Sequence, residues 1–303
     1  MTDISTGAFE RIRTGLPSSP GEARLAQAWR GWQLLRASPA ALTGLAIILA
    51  LLLVALFAPQ LAPETPYGQA LDRQLVPPSW DHPFGTDEFG RDVLSRVING
   101  ARYTLYIVVL VAVIAAPVGL LVGASSGYLG GWIDTLFMRI TDIALAFPRL
   151  ILALAFVTAF GPGLNNAIIA IALTGWPPYV RIARAEALTM RKSDYIAAVE
   201  LMGASRLRII LVHVVPLCLP SLFVRMTLDM AGVILIAAGL GFLGLGAQPP
   251  AAEWGVMLSN GKEYLLSGWW VATFPGLAIF FVCMGFNLLG DGLRDILDPR
   301  HEA

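Results

Sequence analysis

The sequence predicts an all-α membrane protein with six transmembrane helices, and three observations carry that prediction. Hydrophobic residues make up 56% of the 303 positions and charged residues only 14%, against roughly 25% charged in soluble domains. Uncharged runs long enough to cross a bilayer occur at Ala40–Ala58, Tyr103–Gly123 and Gly268–Gly290. Between such runs, the stretch Arg181–Pro216 holds six Lys/Arg side chains. Burying all six in lipid would cost about 15 to 21 kcal/mol, so this stretch is expected in water as a charged loop.

The elements follow in chain order. Residues 1 to about 25 are rich in Ser, Thr, Gly, Pro and mixed charge and read as a loose tail. Ala26–Arg36 reads as an amphipathic lead-in helix with Trp29 and Trp32 at the interface, completing an N-terminal region over 1–38. The first span is long and starts near residue 40, which suits an uncleaved anchor rather than a signal peptide. With its outer loop it forms a unit over 39–98. The core, 99–290, contains Tyr103–Gly123 and then three less clean spans. These are Ile143–Phe160, interrupted by Arg149; the short Leu164–Val180; and Pro216–Ala237, which carries Arg225 and Asp229. The last clean run precedes a C-terminal tail over 291–303.

Orientation follows from the basic residues. With the N-terminus in the cytosol, the tail, the Arg139/Arg149 loop, the Arg181–Arg208 stretch and the C-terminal tail hold 5, 2, 6 and 2 of them, while the other side holds 5. That positive-inside bias puts both termini and the Arg181–Pro216 stretch in the cytosol, and Pro59–Arg102 and Gly246–Ser267 outside.

Within the charged stretch, Ser193 or Asp194 caps the start of a short helix. Tyr195, Val199 and Met202 recur at helical spacing, and Gly203 supplies the stop. Such a helix is about 13 Å long, too short to span a bilayer and suited to lying in a groove on a partner.

Other motifs are weaker. His82, His213 and His301 are isolated, with no HExxH. Gly290-Asp291-Gly292 reads as a helix terminus, and Ser125 and Ser126 have no evident His partner. GLGFLGLG (Gly239–Gly246) lacks the Lys and Ser/Thr of a phosphate loop and reads as small residues for close helix approach or a bend. No catalytic or metal residues are assigned, and Cys218 and Cys283 read as small packed hydrophobes. Zero formal charge argues against a nucleic-acid partner.

Two charged features leave alternatives open. Arg225 and Asp229, four apart in an apolar segment, read either as an ion pair on one helix face or as part of a substrate path. Asp81–Arg96 reads either as a solvated loop with a helix capped near Thr86 or Asp87, or as a contact for an external delivery protein through Asp87, Glu88, Arg91 and Asp92.

Four passages together carry a family resemblance: HPFGTDEFGRDVLSR (His82–Arg96), GGWIDTLFMRITDIALAFP (Gly130–Pro148), GLGFLGLGAQPP with EWGVML (Gly239–Leu258), and FNLLGDGLRDILDPR (Phe286–Arg300). The chain resembles the C-type permease subunit of bacterial ATP-binding-cassette importers for dipeptides, oligopeptides and nickel, over nearly everything after residue 39. The short helix resembles that family's permease signature, an EAA triplet, then Gly, then Leu-Pro. Its places are taken by Ala197, Ala198, Val199, Gly203 and Val215-Pro216, so Ala stands where the family has Glu, while Glu200 lies one turn on.

The resemblance implies a type I importer transmembrane domain in the bacterial inner membrane. It implies pairing with a second permease, two ATPases that bind ATP and Mg, and an external solute-binding protein, with no cofactor on this chain. It also implies that Asp194, Tyr195, Ala197, Ala198, Glu200, Met202, Gly203 and Ala204 meet the ATPase. Peptides are the expected substrate; nickel would be expected to show clustered His, Cys or Met on one span. An ion-coupled transporter would need intramembrane carboxylates, and Asp229 is the single candidate.

Overall fold

A computed structural model describes residues 26, 29, 31–33, 35, 36 and 38–297. The expected loose tail and the end of the C-terminal tail lie outside these residues, as do parts of the lead-in helix. The described residues contain no strand, only an isolated bridge between Thr86 and Asp92.

Helix α1, Pro39–Leu56, starts where Ser38 accepts from the Ala41 N–H and Pro39 occupies the first turn, where its missing donor costs nothing. A single turn, α2 (Ala58–Leu61), follows it. Helix α3, Val93–Leu129, is 37 residues or about 55 Å long. It begins ten residues before the expected span because Asp92 caps it, accepting from the Ser95 N–H and hydroxyl at 2.7 Å each.

The expected span Ile143–Phe160 is instead a bent pair, α4 (Gly131–Ala146) and α5 (Arg149–Phe160), at 93°. Pro148 causes the break: it pushes Phe147 into extended backbone, φ −98° and ψ 140°, so helix cannot run through. Helices α6 (Leu164–Gly175) and α7 (Pro177–Met190) follow one another through Trp176, whose backbone stays helical. The span expected to be short therefore continues as helix to Met190. Helix α8 is Asp194–Leu201 and α9 is Arg206–Phe242. A start of this span at Pro216 is thereby corrected: the helix begins at Ser205, which caps it. It reaches Pro216 through π-helical backbone over Ile209–Val214, a local widening that accommodates a proline ring inside a helix. Helices α10 (Trp254–Gly261) and α11 (Trp270–Leu297) complete the order.

Among the described residues four helices, α1, α3, α9 and α11, are long and apolar enough to cross a membrane, and the bent pair α4–α5 makes a fifth if it counts as one span. Six is thus not what length and composition alone support.

Close approach between these helices depends on glycine. Along α3, a Cβ at Gly119, Gly123 or Gly127 would strike Tyr179, Val180 or the Arg184 carbonyl of α7, so α3 and α7 pack backbone to backbone. Gly44, Gly285 and Gly292 play the same part between α1 and α11. Gly290-Asp291-Gly292 is therefore continuous helix, not a terminus: Gly290 receives Leu228 of α9 and Gly292 receives Ala41 of α1. The outward faces carry exposed Leu49, Leu53, Leu56, Val113 and Phe280, the pattern of a bundle surrounded by hydrocarbon rather than water.

Candidate functional site

Charge-bearing side chains gather in three places: the two ends of α3 and the middle of the bundle. At the N-terminal end of α3, the stretch read either as a solvated loop or as a contact for a delivery protein is largely buried. Asp87 accepts from Arg91 Nε at 2.6 Å and lies 3.4 Å from Arg96 Nε. His82 meets Asp92 at 3.2 Å, and Arg96, 2% exposed, donates to the Pro66 carbonyl at 2.9 Å. Two indoles bind this layer to the rest of the chain, Trp270 to the Thr86 carbonyl and Trp254 to the Val97 carbonyl, both at 3.0 Å.

No helix starts at Thr86 or Asp87; Asp87 instead closes a turn through the Phe89 and Arg91 N–H groups. Asp87, Arg91 and Asp92 thus face the chain's own interior. The surface this region offers another molecule is made by the exposed Trp80 and Phe89. Glu88 is bonded to Arg91 and Asn260, and burial, with Asp87 beside it, pushes its carboxyl above the usual range. Glu253 caps α10 through the Gly255 and Val256 N–H groups. Burial pushes its carboxyl up to about 7 against the downward pull of those two bonds.

The opposite end of α3 carries the short helix. Ser193, not Asp194, is its cap, accepting from the Ile196 N–H, and Asp194 occupies the first turn, where a negative charge meets the helix dipole. At its end the Gly203 N–H donates to the Glu200 carbonyl and the Ala204 N–H to the Val199 carbonyl, a Schellman closure with Gly203 at φ +80°.

The buried face is Ile196, 0% exposed, with Val199; Tyr195 and Met202 lie outside it, which corrects the face expected from their spacing. Two bonds seat the helix on the bundle. Glu200 accepts from the Tyr128 hydroxyl at 2.7 Å, and Tyr195 meets His213 Nδ1 at 2.6 Å. Glu200 is thus tied to the bundle through one oxygen while the residue itself stays exposed. Besides the exposed Asp194 and Glu200, the C-terminal end of α8 presents large apolar side chains: Leu201 is 90% exposed and Met202 78%, and Leu207 is exposed at the start of α9. The segment leading to it is helix α7 rather than a loop. Its basic residues are held by acids of α4, Arg184 by Asp134 at 2.5 Å and Arg181 by Asp142 at 2.8 Å.

In the middle of the bundle, Asp229 does not pair with Arg225. Its two carboxylate oxygens take Arg149 Nη1 at 2.7 Å and the Tyr179 hydroxyl at 3.1 Å. Sequence reasoning noted Arg149 as an interruption of a span and counted it with Arg139 among the basic residues of a cytosolic loop, not as a partner of Asp229. Eighty residues separate it from Asp229, and nothing local signals the contact; the one available hint is that an intramembrane Arg needs an intramembrane acid. Gly175 makes room for the guanidinium, since a Cβ there would stand 2.6 Å from Arg149 Nη2.

Two family patterns match this chain. Residues 115–302 match "binding-protein-dependent transport system inner membrane component", and residues 26–78 match "N-terminal TM domain of oligopeptide transport permease C". Among individual proteins, the chain is 47% identical to the probable D,D-dipeptide transport system permease protein of Escherichia coli, over 88% of this chain and 90% of that one. It is 46% identical to the di/tripeptide transport system permease protein of Pseudomonas aeruginosa, over 89% and 91%. It is 41% identical to the dipeptide transport system permease protein of Alkalihalophilus pseudofirmus, over 99% and 100%. A solved structure of the MetNI methionine ABC transporter in inward-facing conformations aligns at a TM-score of 0.48 and 21% identity, over 67% of this chain and 94% of that one, too distant a likeness to carry an argument. A seated, apolar-tipped helix at one end of a multi-pass helical bundle is thus found on a chain whose sequence matches transport permeases over most of its length, and the chain belongs to the family of binding-protein-dependent transport system inner membrane components.

Proposed function

We propose that this chain is a translocation subunit for di- and oligopeptides in an ATP-driven importer. In this reading it crosses the bacterial inner membrane six times, with α6 and α7 together as one span and both termini in the cytosol. It pairs with a second, related permease. Two ATPases bind ATP and Mg on the cytosolic side, and a solute-binding protein delivers peptide from outside; this chain itself binds no cofactor and performs no hydrolysis. The peptide assignment comes from the names of the relatives, all of them peptide permeases, and it is preferred to nickel on that ground.

One observation carries the mechanism: helix α8 is fixed to the bundle by a buried face and two side-chain bonds, yet turns Leu201 and Met202 outward. Apolar side chains held at 78% and 90% exposure on a charged-rich end of the chain are a contact surface awaiting another protein. Because α8 is joined to α7 and α9 by short turns, motion of a body that grips it passes into both helices as units. Arg225 and Asp229 belong to the path in this reading. Proteoliposomes holding the assembled complex are expected to take up labelled Ala-Ala only with ATP inside and binding protein outside. Uptake that follows a proton gradient and ignores ATP would reject the proposal in favour of an ion-coupled transporter.

A further inference from the structure

We infer that the guanidinium groups of Arg149 and Arg225 form a binding site for the terminal carboxylate of the peptide in transit; this inference rests on the function proposed above. Asp229 stands about midway along the Val215–Phe242 portion of α9, so the cluster sits deep in the bundle. Both of its oxygens are engaged, by Arg149 Nη1 and by Tyr179, and its one charge is matched by Arg149. Arg225, one turn earlier on the same helix, makes no ion pair among the described residues. The next acid along the α7–α9 contact, Glu186, accepts from the Ser221 hydroxyl at 2.6 Å.

The surplus shows in the hydrogen bonding as well. Arg225 Nε, Arg149 Nε and Arg149 Nη2 are all buried and have no acceptor. An unmatched cation with unmet donors inside a membrane span is costly, and such residues line substrate routes or meet partners of opposite charge. The guanidinium fork fits a carboxylate with two parallel N–H···O bonds. Every free peptide carries that carboxylate whatever its side chains, so a path open to many sequences can recognise it. The peptide's ammonium end would be repelled by the same pair. Access is available: Arg149 keeps 21% of its side chain exposed, Arg225 is half-buried, and a Cβ at Gly232, two turns beyond Arg225, would meet open space.

The test compares ATP-driven uptake of Ala-Ala and of its C-terminal amide by the full reconstituted complex, wild type against Arg225→Gln, with the same binding protein throughout so that its own preference cancels. The ratio of free acid to amide is expected to fall by about tenfold in Arg225→Gln and by less in Arg225→Lys, which keeps the charge but loses the fork. An unchanged ratio overturns the inference. Should Arg225→Gln fail to assemble, a dipeptide carrying a diazirine beside its carboxylate, photolysed in the unmutated complex during turnover, is expected to mark α5 and α9 around Arg149 and Arg225. Labelling confined to other segments overturns it, as does a structure of the assembled complex in which an acid of another subunit pairs with Arg225. Absence of uptake of either peptide by the wild type overturns the proposed function, and the carboxylate site with it.

Discussion

The two ends of α3 use polar residues in opposite ways. At the Val93 end, acids and arginines are drawn inside: Asp87, Arg91, Asp92 and Arg96 are all buried and bonded to one another or to backbone. At the Leu129 end the charged residues stay partly exposed, the short helix is held by a small apolar face, and its largest aliphatic side chains point away from the protein. The first arrangement is complete within the chain; the second leaves Leu201 and Met202 uncovered. Dense, alternating charge therefore marks an internal lock here, and a modest eight-residue helix carries the proposed contact surface. The most distinctive passage of the sequence and the proposed docking surface are not the same place.

The largest expected effect lies at the lock. Asp87→Ala leaves Arg91 and Arg96 buried without their shared acid, and breaking a buried pair from one side costs about 3–5 kcal/mol. Thermal unfolding in detergent should show a strongly destabilised or unrecoverable protein. A Tm within a degree or two of wild type would mean that this layer is open to water and that the contrast between the ends is overstated.

A smaller effect from the same end is pH-dependent. Glu253 has its carboxyl raised from 4.5 to about 7 by burial, so the folded chain holds a proton that the unfolded chain has released across that interval. Its contribution to stability is present below pH 4.5 and is lost as pH rises to about 7, a change of about 3 kcal/mol. Glu253→Gln, which keeps an acceptor for α10, should flatten the stability curve over that window. A wild-type curve that rises there would show Glu253 to be ionised in the fold.

At the docking end the effects on folding are smaller and those on coupling larger. Gly203→Val meets no neighbour, since nothing lies within 4 Å of a Cβ there, yet a residue with a side chain at φ +80° costs about 1–2 kcal/mol. The variant should still fold and insert, while α8 loses its closing turn and ATP hydrolysis no longer drives uptake. Full uptake in a well-folded Gly203→Val complex would mean that the geometry of this turn is irrelevant to transmission.

What could be read from the chain beforehand divides along sequence distance. Apolar runs gave the cores of α1, α3, α9 and α11, and Ser193 and Gly203 bounded α8, because caps and periodicity are local chemistry. Pro148 sat in plain view, but a 93° turn needs the knowledge that helix resumes at Arg149. The extension of α9 back to Arg206 was hidden by its basic residues, which a helix accepts once it has left the lipid. Of the two readings of Arg225 and Asp229, the ion pair does not form: the residue four positions away is the obvious candidate, while the actual partner arrives from a helix eighty residues distant. Burial of Asp87 to Arg96 was missed for a related reason. Charge predicts solvent only when the opposite charges and the two indoles that cover it are not already present in the same chain.

The measurement that bears most directly on all of this places a cysteine at Met202. Both native cysteines, Cys218 and Cys283, are buried, so Met202→Cys gives a single accessible thiol at the tip of α8. In the assembled complex, a maleimide–benzophenone reagent on this thiol should, on irradiation, join the residue to the nucleotide-hydrolysing subunit, and the yield should change between the nucleotide-free and ATP-bound states. A thiol that reacts freely with small maleimides in every state and never joins another polypeptide would contradict the account.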